Sequence, residues 1–201
     1  MDEKATLGEY LDRFRSALLS RWDGLGEYHA RRPLTTSGTN VAGLVKHAAL
    51  IQFGYLGEVF DRPADRPMPW FDDDAEPNAD LWVPPGESLS FVRELHAASA
   101  EHADRTIAAL PLDARGRVPW WSEARADVTL HQILVHLVTE YARHAGHADI
   151  LRESLDGERG TGPDDPNLPF HGDREWAAYR ERVERDARAA AGTSAPTTLA
   201  P

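Results

Sequence analysis

Glu140 and His144 lie four residues apart in the stretch TLHQILVHLVTEYARHAGHADILRESLD, residues 129–156. On a helix, side chains at that spacing point the same way. At 100° per residue, Leu130, Ile133, Leu134, Leu137, Tyr141, Ala148, Leu151 and Leu155 form one apolar stripe, and Glu140 and His144 fall on it. An unpaired buried carboxylate costs several kcal/mol, the order of a small domain's whole stability. Glu140 therefore needs a buried cation or a metal ion, and the neighbouring imidazole favours the metal. Metal sites in helical bundles are built from side chains on facing helices, so a third ligand is expected from another helix. His47 is the candidate, because it shares a face with Leu44, Ile51, Gly54 and Glu58, with the small Gly43 and Gly54 nearby.

The other histidines fit less well. His136 and His147 flank the Glu140/His144 pair and project about 80–100° off the stripe, so they are expected to support the ligands from outside. His131 points away, His96 and His102 lie on a helix with charged flanks, and His29 and His171 fall in connections. Blander readings exist for each feature. A single imidazole on an apolar face is more often a hydrogen-bonded core histidine, and E-x-x-x-H arises readily by chance. Glu140 could pair with Arg143 or Arg152. Trp82, Trp120 and Trp121 read as core or rim aromatics, and DDDAE (72–76) as a solvated acidic loop. Spacing alone leaves open whether these residues hold a metal or form a polar network in the core.

The elements that must position these residues are helical, with no convincing strand. Thr6 and Glu9 form a T-x-x-E capping pattern, and Leu7, Leu11, Phe14, Leu18 and Trp22 follow at helical spacing, predicting a helix over 7–24. Asn40 is a good N-cap for a second helix over 41–60. The proline-rich segment 61–87 cannot be one helix, and a loop of that length is expected to be functional or lid-like. Its Trp70, Phe71, Leu81 and Trp82 predict that it packs down. A third helix is expected from about Ser88 to Leu110, then a second loop (111–128). The fourth helix opens with a capping box at Thr129 and Gln132 and closes at Gly157. A Gly/Pro linker leads to a shorter amphipathic helix over about 173–191. The expected organisation is all-α: a four-helix bundle over 1–157 with long crossover loops, a linker and a short C-terminal helix packing on the bundle over 158–191, and a disordered tail over 192–201.

Composition narrows the function classes. The 201 residues contain no cysteine, which excludes disulfides, thiolate metal sites and a cysteine nucleophile. A net charge of −11 argues against nucleic acid. No apolar run approaches the ~20 residues needed to span a bilayer, and residues 1–20 are charged throughout rather than signal-like. The expected compartment is the cytoplasm.

The pattern GLVKHAAL (43–50), followed far downstream by HLVTEYARHAGHADILRESLDG (136–157), resembles the DinB-like superfamily of four-helix-bundle proteins. More narrowly, it resembles the branch containing mycothiol-dependent maleylpyruvate isomerase and many actinobacterial paralogues. The resemblance covers roughly residues 5–190, including W-x-x-Y-x-x-R-V-E at Trp176–Glu184. In that branch a divalent metal, usually zinc, is held by a histidine of the second helix and by a glutamate and a histidine of the fourth. These positions correspond to His47, Glu140 and His144. Other DinB-like proteins carry H-x-x-x-H ending in HRGQ, whereas this chain has Glu140 at the first of those positions, which favours the His-Glu-His branch. Only about 45 residues follow the fourth helix, too few for the isomerase's separate C-terminal domain. Maleylpyruvate isomerisation is therefore not the specific reaction expected.

The resemblance implies a metal-dependent mycothiol-type S-transferase or isomerase acting on a small electrophile. Its cofactors would be a divalent ion, zinc or else nickel, and mycothiol. Three protein ligands leave a coordination position open, as in catalytic zinc sites. The ion would keep a formal charge of +1, so it could lower the pKa of a bound water to about 7 or hold a small thiol as thiolate. Two alternatives remain: a hydrolase using metal-bound water, and a non-catalytic, stress-associated metal-binding bundle. The loops at 61–87 and 111–128 would shape the pocket, and Arg117 or Arg125 could bind an anionic substrate. A homodimer through the first and C-terminal helices is a further expectation.

Overall fold

The computed structural model describes residues 2–160 and 165–192, and the chain divides into two units, Met1–Glu158 and Arg159–Pro201. The described residues are mostly helical. In the first unit, α1 (Glu3–Ser20) starts at Asp2, whose side chain accepts from the Ala5 amide at 2.8 Å. The expected T-x-x-E cap is thus corrected. Thr6 lies inside the helix and donates to the Asp2 carbonyl, because the upstream aspartate satisfies the free amides and its charge suits the positive end of the helix dipole. A short α2 (Glu27–Arg31) occupies part of the stretch read as connection.

Helix α3 (Val41–Leu56) is capped by Asn40, which accepts from the Gly43 amide at 2.7 Å. It ends earlier than the 41–60 span predicted. Gly57 breaks it at φ −114°, ψ −86°, and Glu58–Phe60 continue as a 3-10 turn. Helix α4 (Leu89–Ala109) is capped by Ser88. The second loop holds β1 (Arg115–Arg117), α5 (Glu123–Ala126) and β2 (Asp127–Thr129), with the strands antiparallel and Gly116 opposite Val128. No strand was expected there, since three residues are too few for alternation to register. Helix α6 (Leu130–Asp156) keeps both predicted ends: the Thr129/Gln132 capping box, and Gly157 at φ +81°, a conformation that favours glycine.

Helix α3 packs on α4 and on α6, and α1 packs on α6. The apolar stripe of α6 meets them with Ile133, Leu134, Leu137 and Tyr141, all fully buried beside Leu11, Leu18, Val45 and Ala48. A polar strand of side chains crosses this core. Arg15 Nε donates to Gln52 Oε1, and Gln52 Nε2 donates to the Ser99 hydroxyl.

The 61–87 segment packs down on α3, as expected of its aromatics, but a charge does most of the fastening. Lys46 is wholly buried. Its Nζ donates to the carbonyls of Ala79 and Trp82, pairs with Glu87 at 2.8 Å and sits 5.0 Å from the Trp70 ring centroid. Burial pulls the ammonium pKa below its ordinary value, and Glu87 opposes that shift. Gly43 makes the approach possible, since a Cβ there would lie 1.9 Å from the Leu81 carbonyl oxygen.

In the second unit, α7 (Asp173–Ala191) buries no residue. Phe170, Trp176 and Tyr179 cluster at its start, with the Trp176 indole donating to the Phe170 carbonyl. Residues 161–164 of the expected linker and 193–201 of the expected tail lie outside the described residues. No helix of the described residues is long and apolar enough to cross a membrane.

Candidate metal centre and its flanking clefts

The packing of α3 on α6 brings His47 beside Glu140 and His144, and each residue offers a ligand atom within 4.8 Å of the others. The two imidazole rings meet edge to face with centroids 4.9 Å apart, and His144 Nε2 lies 3.4 Å from Glu140 Oε2. The Glu140 side chain is 30% exposed, so the buried carboxylate implied by the helical wheel is corrected. Glu140 sits at the margin of the stripe, where the seam between α3 and α6 opens. Arg152 is not its partner, because that guanidinium pairs with Asp156 and Glu158 and donates to the carbonyls of Arg21 and Asp23. Among the described residues, the ion-pair neighbours of Glu140 are His136 and His144.

A residue not anticipated from the sequence completes the arrangement. Asp80, in the 61–87 segment, lies 2.6 Å from His47 Nδ1. Burial works against its ionised form, but the bond to His47 carries the carboxyl below the usual carboxylate range. An ionised Asp80 requires His47 Nδ1 to donate, which leaves the Nε2 lone pair free for a metal. A signal did exist, since a ligating histidine needs an acceptor on its other nitrogen. Yet the segment offers several acids, and spacing does not select among them.

His144 completes the fit. Burial pushes its imidazole down to about 4, with His47 adding to the shift, so the ring is neutral and able to ligate at pH 7. Its Nδ1 is buried without a hydrogen-bond partner, a cost that packing alone does not offset. Two imidazoles and one carboxylate suit a divalent metal ion.

His136 and His147 occupy different settings. His136 Nε2 is 3.9 Å from Glu140 Oε1, and its ring packs against Tyr55 at 4.6 Å and Trp121 at 5.2 Å. Burial lowers its pKa, with Glu140 opposing. His147 is exposed and only edges the His144 ring, at 5.5 Å. His131 is half-exposed and faces Glu3, while His96 is buried in the core near Tyr141.

Two clefts lie nearby along α3 and α6, and their linings do not include the three cluster residues. One, of about 580 Å³, is lined by Leu50, Ile51, Gly54, Tyr55, Phe71 and Trp120, with Glu58 and Pro119 also on its walls. Ile51 lies one helical turn beyond His47 on the same face. The other, of about 540 Å³, is lined by polar groups including Arg125, Gln132, His136 and Thr139, with Trp121 beside them. Trp120 and Trp121, read as core or rim aromatics, divide the two, and both indole N–H groups donate to the Tyr55 hydroxyl, at 3.3 and 3.1 Å. Arg117 is occupied by Glu123 and Asp127, whereas Arg125 lies over the Trp121 ring at 5.3 Å.

Comparison with curated proteins returns no match. Residues 6–157, most of the chain and all of the cluster and cleft residues just described, match the mycothiol-S-transferase family, and the chain belongs to it.

Proposed function

We propose that this protein is a metal-dependent mycothiol S-transferase that joins the cofactor's sulfur to a small electrophile. The observation that carries the reading is the convergence of His47, Glu140 and His144, with Asp80 fixing the orientation of His47. These three side chains would hold the ion, most naturally zinc and otherwise nickel. When bound there, a divalent ion would favour the thiolate form of a small thiol at neutral pH.

The rest of the work falls to the chain. Asp80 keeps the His47 proton on Nδ1, and burial keeps His144 neutral. Glu140 brings the charge that lowers the ion's net charge to about +1. The polar cleft, with Arg125, Gln132, His136 and Thr139, offers hydrogen bonds to a sugar-bearing thiol. The apolar cleft then receives the electrophile. We read the four long helices α1, α3, α4 and α6 as a four-helix bundle, with the 61–87 and 111–128 loops as its long crossovers. The segment 158–191 is read as a linker and a short C-terminal helix.

Elemental analysis of the purified protein beside His47→Ala and Glu140→Gln tests the reading, followed by mycothiol-consumption assays against a panel of electrophiles. The expected result is about one metal per chain, lost in both variants with helical content retained, and thiol-dependent turnover in the wild type only. A wild type that takes up no metal after incubation with zinc would overturn the metal dependence. Turnover independent of added thiol would point to a hydrolase instead.

A further inference from the structure

The Tyr55 hydroxyl carries an unspent donor. An indole N–H can only donate, so the Tyr55 oxygen must accept from both Trp120 and Trp121. Those two bonds occupy its lone pairs and direct its hydrogen elsewhere, yet none of the described residues accepts it. The ring is fixed as well. Tyr55 is 8% exposed, and its ring is wedged edge to face against His136 and both tryptophans. Tyr55 and Trp120 both line the apolar cleft, and Tyr55 does not line the other one.

The remaining lining says what the cleft accepts. Leu50, Ile51, Gly54, Phe71 and Trp120 are apolar, no cation is among them, and Glu58 adds a negative charge. Trp120 lies close over Gly54, where a Cβ would come within 3.1 Å of the indole, so the indole forms a flat wall. An anionic electrophile finds no counter-charge here, whereas a flat, uncharged molecule with one acceptor oxygen matches the single free donor.

We infer that the apolar cleft binds uncharged α,β-unsaturated ketones, and that Tyr55 is a catalytic residue donating its hydroxyl hydrogen to the carbonyl oxygen. This rests on the transferase reading above for the thiol. The thiolate sulfur forms a bond to the β-carbon, and the C=C π pair shifts so that negative charge gathers on the carbonyl oxygen, which Tyr55 stabilises. A solvent proton at the α-carbon then gives the saturated thioether ketone. The thiol proton was released to solvent beforehand, so protons balance. A donor aimed at a developing oxyanion contributes about 100-fold in rate.

The test compares wild type with Tyr55→Phe on two thiol acceptors, an aryl vinyl ketone and a benzylic halide whose charge departs on the halide. A saturated aryl ketone, which cannot react, is titrated in parallel by isothermal calorimetry. Tyr55→Phe should lower kcat/KM for the enone about 100-fold and leave the halide within about twofold. It should also weaken binding of the saturated ketone about tenfold, as for one lost hydrogen bond. Parallel losses on enone and halide would assign Tyr55 a packing role and overturn the inference, as would unchanged ketone binding. If the wild type shows no thiol-dependent turnover at all, the transferase reading fails, and the ketone titration alone still decides the cleft assignment.

Discussion

The two clefts near the His47/Glu140/His144 cluster are nearly equal in volume, about 580 and 540 Å³, but one is mostly apolar and the other mixes polar side chains with Trp121, Ala124 and Val135. One is walled by aliphatic and aromatic side chains from α3 and the two long loops. The other is lined by Arg125, Gln132, His136 and Thr139, from α5 and α6. The partition between them is a pair of adjacent residues, Trp120 and Trp121, pinned by one tyrosine oxygen. On the proposed transferase function, the two clefts would hold a polar thiol and an apolar electrophile by unlike forces.

The largest effect expected falls on the scaffold, and it must be separated from effects on either cleft. His96 is 2% exposed, and burial, aided by the Arg15 charge, lowers its pKa to about 4. The folded protein therefore refuses a proton that the unfolded chain takes up below about pH 6.5. Stability is complete above that pH and falls as pH drops from about 6.5 towards 4, by up to a few kcal/mol. Chemical denaturation at pH 7 and pH 5 should show this loss in the wild type and a flatter profile in His96→Leu. Activity lost with both substrates in the same window then reports unfolding rather than cleft chemistry.

The shared centre comes next. Asp80→Asn should weaken metal affinity about 10- to 100-fold, measured by competition with a chelating dye, and should leave the apparent KM of both substrates alone once metal is saturating. A change in one KM only would mean that Asp80 acts through a cleft rather than through His47. Smaller still are the effects that set the clefts against each other. Trp120→Ala should raise KM for an apolar electrophile about tenfold and leave KM for the thiol unchanged, while Arg125→Ala should do the reverse. If both variants moved both constants, the division into two clefts would fail. Gly54→Ala should have the slightest consequence, a few-fold rise in KM for the electrophile, because the indole must give by a few tenths of an ångström.

How much of this was legible in the sequence differs by region for a physical reason. Helix α6 carries its boundaries in its own residues, Thr129, Gln132 and Gly157, so capping rules read them correctly, and the shared face of Glu140 and His144 follows from a local i, i+4 spacing. His47 was also reachable, because it shares a face with apolar neighbours. Asp80 and Tyr55 were not. Their roles depend on where a 27-residue irregular segment (61–87) and a hairpin come to rest, which no local pattern records. The hairpin escaped notice because each strand is three residues long. Glu140 was placed on the right face but at the wrong depth, since a wheel gives direction around a helix and not distance from its neighbours.

Lys46 has a last consequence on the transferase reading, in which an electrophile enters the protein. The chain has no cysteine, and Lys4 and Lys46 are its lysines. The Lys46 amine is fully enclosed and held by two carbonyls and Glu87, so a molecule in the neighbouring cleft cannot reach it. The interior around the reaction centre thus offers neither thiol nor free amine for self-alkylation. On the transferase reading, the same ammonium that fastens the loop is thereby kept out of an electrophile's reach.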